Sequence, residues 1–265
     1  MYKIVFLDLD DTLLDDKKNI SNENIDAIKY VQEKGGLVCI ASGRSIEATK
    51  KYLNKANADR YVVYSNGAGI LDCEANESLF SADIEKEICI ELYNYAIANN
   101  IGIRIDTPYG RYVSDEKYAL RFDIVYDENE GLELIKDNNI LQISYLTEIE
   151  NLRTEAIEFI NENIPKTVKI ENIFKTGMNN EFFAINIINK NVSKGNAING
   201  LCKFLKIKME EVIAIGDGLN DISMIEMAGL GVAMGNAEEE VKKFANEITS
   251  TNLENGVAKV LKNKF

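Results

Sequence analysis

An alternation at both ends of this chain limits its fold more than any other feature: short, β-rich apolar runs take turns with helix-length amphipathic segments. Near the start come YKIVFLD, NENIDAIKYVQEKG, LVCIAS, IEATKKYLNKA and YVVYSN in succession. Near the finish KGNAINGLCKFLKI precedes VIAIGD, DISMIEMAG precedes LGVAMG, and AEEEVKKFANE follows. Strands connected through helices run parallel, and a parallel sheet needs helices on both faces, so the pattern predicts an α/β fold with one sheet drawn from both ends of the chain. From about Ile84 to Ile188 the pattern changes to longer helices, such as DIEKEICIELYNYAIANN, mixed with alternating strands such as ILQISYLT and FFAINII. That segment reads as an inserted α+β domain, giving residues 1–83 with 189–265 as a core and 84–188 as the insertion.

An open α/β sheet binds its ligands outside the carboxyl ends of its strands, so the residue after each core strand samples the site. YKIVFL delivers Asp8, LVCIA delivers Ser42, YVVYS delivers Asn66 and VIAIG delivers Asp217. Asp8, Asp10 and Asp11 in DLDDT crowd three carboxylates at one strand end, where like charges repel unless a cation intervenes. GDGLND, from Gly216 to Asp221, brings Asp217 and Asp221 to a second strand-to-helix turn. Magnesium suits such a place, because it takes oxygen ligands, commonly one or two carboxylates together with a substrate phosphate. Ser42 in ASGRS precedes a helix start and can hold a phosphate oxygen. Lys194 in VSKG also opens a helix, where a cation opposes the helix dipole unless an anion lies close by.

Composition removes whole classes of chemistry. The chain has no histidine, which excludes Ser-His and Cys-His catalysis and His-ligated zinc, leaving acid and base work to carboxylates. Its net charge of -13, with no long basic run, argues against nucleic acid as a partner. No stretch approaches the roughly 18 apolar residues of a membrane span, and the N-terminal apolar run is too short for a signal peptide. Four scattered cysteines without a CxxC pair read as reduced thiols, so the expected compartment is the cytoplasm. No GxxxxGK[ST] loop occurs, and the glycines of GDGLND, NGAGIL and GLGVAMG do not complete a dinucleotide fingerprint. Neither acidic segment has EF-hand spacing.

Taken in order, DLDDTL, ASGR with Ser42, VSKG with Lys194, GDGLND, and the additional SNGA at Ser65 to Ala68 resemble the motifs of the haloacid dehalogenase superfamily, in its Cof-type sugar-phosphatase-like group. The resemblance covers essentially the whole chain. It implies a Rossmann-like core with an α/β cap inserted between the second and third motifs, and a phosphatase acting on small phosphorylated metabolites. It further implies that Asp8 is the nucleophile and Asp10 the general acid and base, the latter kept protonated by crowding among like charges. Magnesium is expected on Asp8, the Asp10 carbonyl and Asp217, with Asp221 orienting the site. Phosphate oxygens fall to Ser42, Gly43, Lys194 and Asn220, with Arg44 assisting. Arg104, Tyr109, Arg111, Arg121, Lys175 and Asn180 are the cap side chains expected to meet the substrate. Asp11 stands where the superfamily often has glycine, and Asn186 where related sequences commonly have glutamate. A monomer or weak homodimer is expected. A phosphomutase would use the same residues, and a receiver-like signalling protein also combines an acidic cluster, a hydroxyl and a lysine.

Overall fold

A computed structural model describes residues 2–120, 123–127, 130–177 and 181–265. The chain forms two compact units, one from residues 1–44, 48–80 and 193–265, the other from 45–47 and 81–192.

The first unit holds an eight-stranded sheet. Its strands are β1 (Ile4–Leu7), β2 (Leu37–Ala41), β3 (Tyr61–Tyr64), β4 (Gly69–Asp72) and β5 (Glu77–Ser81) from the N-terminal part. The order along the sheet runs from β5 back through β4, β3, β2 and β1 to Val212–Gly216, Leu230–Ala233 and Glu247–Ile248, the twelfth to fourteenth strands of the chain. From β3 to Glu247–Ile248 every pairing is parallel, while β4 runs antiparallel to β3. All four residues of β1 are buried, as a strand covered on both faces requires.

Side chains alternate between the two faces of β1. Ile4 and Phe6 join Cys39, Val63, Val212 and Ala214 in a core with Ala197, Ile198, Leu201 and Met224, contributed by the helices Lys194–Phe204 and Ile222–Met227. Beyond the other face lies the helix α1 (Asn22–Glu33), which packs on the C-terminal helix Gly256–Lys264. Ser21 caps α1 by accepting from the Asn24 N–H at 3.2 Å, and the buried Asn24 Oδ1 in turn accepts from the Ala258 N–H at 3.0 Å. One short polar segment therefore starts a helix and locks it to its neighbour.

The second unit has a six-stranded sheet. Its members are β6 (Gly102–Thr107), β7 (Gly110–Val113), β8 (Asp123–Val125), β9 (Gln142–Thr147), β10 (Val168–Thr176) and β11 (Phe182–Asn189), in the order β10-β11-β9-β6-β7-β8. Among the described residues only the β7–β8 pair is parallel. Ile103, Ile105, Ile143, Tyr145, Ile185 and Ile187 fill one face, against Ile88, Leu92, Ile135 and Ile160 from helices. Registers Arg104↔Ser144↔Asn186 and Asp106↔Gln142 put a row of buried polar residues on the other face. Residues 81–83 and 189–192 belong to this unit, not to the first, as do 45–47. Asn189 is still paired with Val168 in the sheet, and its amide donates to the Asp83 carbonyl at 2.9 Å, so strand pairing carries the boundary past the change in sequence pattern.

Candidate active site

Strand order in the first unit reverses between β1 and Val212–Gly216, designated β12 for its place in the chain. The chain winds outward in one direction from β1 to β3, and returns to the other side at β12. Such a switch point opens a crevice at the carboxyl ends of the two strands. Asp8 leaves β1 there, tied by its N–H to the Ile215 carbonyl at 3.0 Å, and Asp217 leaves β12.

Carboxylate oxygens of Asp8, Asp217 and Asp221 lie within 4.8 Å of one another. Lys194, wholly buried at the start of its helix, places Nζ 2.6 Å from Asp8 Oδ1 and 2.6 Å from Asp221 Oδ1. Asp221 gives its other oxygen to the N–H groups of Asp217 and Gly218, at 3.0 Å each, and so ties the loop that carries Asp217. Thr12 Oγ1 donates to Asp217 Oδ1 at 2.8 Å, joining the two strand ends, a role that the charge pattern of DLDDT does not signal. Two carboxylates, Asp8 and Asp221, thus share one ammonium, with the third, Asp217, close by. Burial, then repulsion from Asp221, pushes Asp217 up to about 7. Burial, together with repulsion from Asp221 and Asp217, also raises Asp8 well above the usual carboxylate range against the pull of Lys194. Lys194 itself stays charged: burial opposes its charge, but Asp221 and Asp8 raise its pKa. Surplus buried negative charge of this kind, on hard oxygen donors, fits a divalent cation.

Of the four residues expected at the metal, Asp8, Asp217 and Asp221 form the cluster, while the side chains of Asp10 and Asp11, the other carboxylates of DLDDT, do not join it. After Asp8 the chain turns through Leu9–Leu13, closing with a Leu14 N–H to Leu9 carbonyl bond of 2.9 Å. Asp10 breaks the helical path at φ -73 and ψ 128, and Asp11 adopts φ 57, in the left-handed region. Asp10 is thereby turned to Arg44, whose fork grips it at 2.6 and 2.7 Å, and to Lys18 Nζ at 2.8 Å. Burial alone would raise the Asp10 pKa, yet these two cations outweigh it and hold it down to about 2. Crowding among like charges therefore does not keep Asp10 protonated, which corrects the expectation; the acidic motif is served by two basic residues that lie outside it in sequence. Side-chain exposure of 55% at Asp11 removes it from the cluster as well.

The expected phosphate-binding groups meet on one further turn. Ser42 is buried and its Oγ accepts from the Arg44 N–H at 3.2 Å, so it stabilises a turn in place of capping the helix Ile46–Ala56. Ser65, Asn66 and Gly67 are all left-handed, at φ 47, 57 and 97, a succession that explains why SNG is the sequence used. This turn sends the Ser65 N–H to the Arg44 carbonyl at 2.9 Å and the Asn66 N–H to the Ser42 carbonyl at 3.1 Å. Asn66 Oδ1 accepts from Asn220 Nδ2 at 2.9 Å and lies where a Cβ at residue 43 would come within 2.7 Å, so Gly43 leaves it room. A Cβ on Gly67 would approach the Ser193 carbonyl to 2.4 Å, so the same turn abuts the backbone that presents Lys194. Ser42, Gly43, Asn220 and Lys194 are accordingly linked through Asn66 and Gly67.

Cap candidates divide. Arg104 is buried, with Nε 3.0 Å from Asp123 Oδ2 and a second nitrogen 2.8 Å from the Tyr118 carbonyl, so its donors hold the cap together and the substrate-facing expectation is corrected. Arg111 lies 3.3 Å from Asp106 and 3.6 Å from Asp123 in the same ion network. Tyr109 is 78% exposed, and Lys175 is exposed with Nζ 5.0 Å from the Phe183 ring centre. Arg121 and Asn180 lie outside the described residues. Asn186, where glutamate is common, is buried and accepts from Ser144 Oγ at 2.8 Å.

A parallel-sheet crevice ringed by carboxylates, an ammonium, a hydroxyl and an open backbone turn is suited to an enzyme that handles phosphoryl groups. The chain belongs to the haloacid dehalogenase-like hydrolase family, which it matches over residues 5–261, and within it to the Cof-type phosphatases. The 5-amino-6-(5-phospho-D-ribitylamino)uracil phosphatase of Bacillus subtilis (strain 168) is 32% identical over 260 residues, covering 98% of this chain and 94% of that protein. A crystal structure of a haloacid dehalogenase-like hydrolase from Bacteroides thetaiotaomicron covers all of both chains at a TM-score of 0.86 and 28% identity. A subclass IIB sugar phosphatase of the same superfamily covers 98% of each chain at a TM-score of 0.77 and 25% identity. Among the described residues no helix is long and apolar enough to cross a membrane.

Proposed function

We propose that this enzyme is a magnesium-dependent phosphatase that hydrolyses phosphate monoesters of small metabolites through an aspartyl-phosphate on Asp8. The observation that carries the reading is the position of Asp8: its carboxylate shares one buried ammonium, Lys194, with Asp221, and lies within 4.8 Å of both Asp217 and Asp221. Asp8, Asp217 and the Asp10 carbonyl would hold the ion, with Asp221 bracing the loop. Bound there, magnesium would neutralise charge on the phosphoryl oxygens and favour the ionised form of Asp8.

In the proposed reaction Asp8 attacks phosphorus in line with the ester bond. Its oxygen forms a P–O bond as the ester P–O bond breaks, and the departing alkoxide takes a proton from Asp10. Ionised Asp10 then removes a proton from water as that water attacks the aspartyl-phosphate, freeing inorganic phosphate and regenerating Asp8. In this reading Lys194, Ser42, Asn220 and the Gly43 N–H hold the remaining phosphate oxygens. With Arg44 and Lys18 on it, Asp10 is in the state needed for the second half; service as an acid in the first half requires those two contacts to loosen.

Residues 84–188 serve in this reading as the cap that selects the leaving group, with Tyr109, Arg111 and Lys175 as candidate contacts. Sugar phosphates and cofactor phosphates such as FMN or pyridoxal phosphate are the substrates to test, along with the phosphoribityl compound named for the Bacillus subtilis relative. The four free cysteines, three of them buried, support a reducing, cytoplasmic setting. A monomer or weak homodimer is the proposed state.

A panel of these esters with and without magnesium, reading inorganic phosphate, tests the proposal. Asp8→Asn should abolish turnover, and retained activity would overturn the nucleophile. A phosphomutase would instead move phosphate between hydroxyls without releasing it. A receiver-like protein would accumulate a long-lived phospho-aspartate and turn nothing over.

A further inference from the structure

Two asparagines from the C-terminal part of the chain close on the turn that follows Asp8. Asn236 Nδ2 donates to the Asp11 carbonyl at 2.7 Å. Asn252 Nδ2 donates to the Leu14 carbonyl at 2.9 Å, and the Asn252 backbone N–H donates to Asn236 Oδ1, also at 2.9 Å. Each amide is thereby oriented: Asn236 must keep its oxygen toward Asn252 and its nitrogen toward Asp11. The clamp acts where the turn most needs support. Asp11 is left-handed without being glycine, and Asp10 before it departs from helical geometry. On the far side of the peptide whose carbonyl Asn236 holds is Thr12, whose hydroxyl binds Asp217. Fixing that peptide fixes Asp10 on one side and the Thr12–Asp217 link on the other.

We propose that Asn236, oriented by Asn252, is a positioning residue for the divalent cation, setting the Leu9–Leu13 turn so that the Asp10 carbonyl and Asp217 address one ion. This rests on the proposed magnesium chemistry. Neither asparagine touches substrate; both act through the backbone of the turn. Outer groups that orient metal ligands typically change metal affinity or activity by roughly 10–100-fold when removed.

Magnesium binding is measured directly by calorimetry on the full chain, and separately as the magnesium concentration that half-activates turnover. Asn236→Ala should weaken both by about 10–100-fold, with KM for the ester at saturating magnesium changed far less. Asn236→Asp keeps the acceptor for the Asn252 N–H but sets a carboxylate against the Asp11 carbonyl, and should weaken magnesium binding at least as much. Val241→Ala, in the buried core of the neighbouring helix Glu239–Lys242, lowers stability without touching the clamp and should leave magnesium affinity unchanged. Wild-type affinity in both Asn236 variants, or an equal loss in Val241→Ala, would overturn the clamp. Wild-type protein that binds magnesium yet releases no phosphate would overturn the proposed reaction, while the calorimetry would still decide the clamp. Wild-type protein that binds no magnesium would overturn both.

Discussion

Replacing Lys194 with methionine keeps most of the side-chain volume and removes one charge from a wholly buried position. The ammonium makes two contacts of 2.6 Å, each about 6 kcal/mol of gross attraction at an effective dielectric near 20. Most of that offsets the desolvation of the three groups, so the net effect is smaller. Removing one partner of a buried ion pair costs about 3–5 kcal/mol, because the remaining charge has no counterion. Here two carboxylates, Asp8 at 6% and Asp221 at 1% exposure, are left facing each other. Asp8, whose pKa burial already raises, can relieve the repulsion by binding a proton, which changes stability by about 1.4 kcal/mol per pH unit for each extra proton held by the folded state. Lys194→Met should therefore lose about 3–5 kcal/mol at pH 8 without magnesium, and roughly 1–3 kcal/mol less at pH 6. Urea titrations at both pH values, with and without magnesium, measure this, and magnesium should recover part of the loss. A loss below about 1 kcal/mol at pH 8, or one that does not change with pH, would refute the view that this lysine compensates a buried excess of negative charge.

The metal-free protein should show two opposing pH windows. Asp217, raised to about 7, contributes stability at low pH that is lost as pH rises from the ordinary carboxylate range to about 7. Asp10, lowered to about 2, contributes stability above the ordinary range that is lost as pH falls toward 2. Denaturation midpoints in a chelator should fall between pH 5 and 7, and added magnesium should flatten that fall; a rise across the window would contradict the assignment. Gly67→Ala combines a left-handed φ of 97 with a backbone clash at Ser193, so it should cost more than the roughly 1 kcal/mol of conformational strain alone and lower kcat through Lys194. Wild-type turnover in that variant would dissociate the SNGA turn from the lysine. Asp11→Gly, at φ 57 and on an exposed side chain, should be neutral or stabilising by a few tenths of a kcal/mol, whereas Asp11→Val should lose about 1–2 kcal/mol, both measured by thermal unfolding.

The architecture of the first unit was readable because parallel strands buried on both faces leave an unbroken apolar run, and IVFL, LVCIA and VIAIG are such runs. Each ends at the crevice, so the polar residue that follows is placed by topology alone. The positions of Asp8, Ser42 and Asp217 are therefore legible in the sequence. The domain edges were less readable, because β11 continues past the change of pattern and no proline or glycine marks its end.

What the sequence hid was the direction in which side chains point after the strand has ended. Asp8 and Asp10 differ by two residues, yet one enters a cluster of carboxylates around Lys194 and the other faces Arg44 and Lys18. The break lies in the backbone: Asp10 and Asp11 leave the helical region within one turn, rotating successive carboxylates apart. Counting charges in DLDDT predicts repulsion; following the chain through φ 57 shows that repulsion relieved by separation, while Asp8 meets Asp217 and Asp221, which lie some two hundred residues away in the chain. The same reasoning applies to the arginines of the cap. A buried Arg104 satisfied by Asp123 and the Tyr118 carbonyl is indistinguishable in sequence from one that waits for a phosphate, and only the partners decide. Sequence motifs at a switch point thus identify the chemistry that converges there, while the protonation state of each carboxylate depends on neighbours that the motifs do not contain.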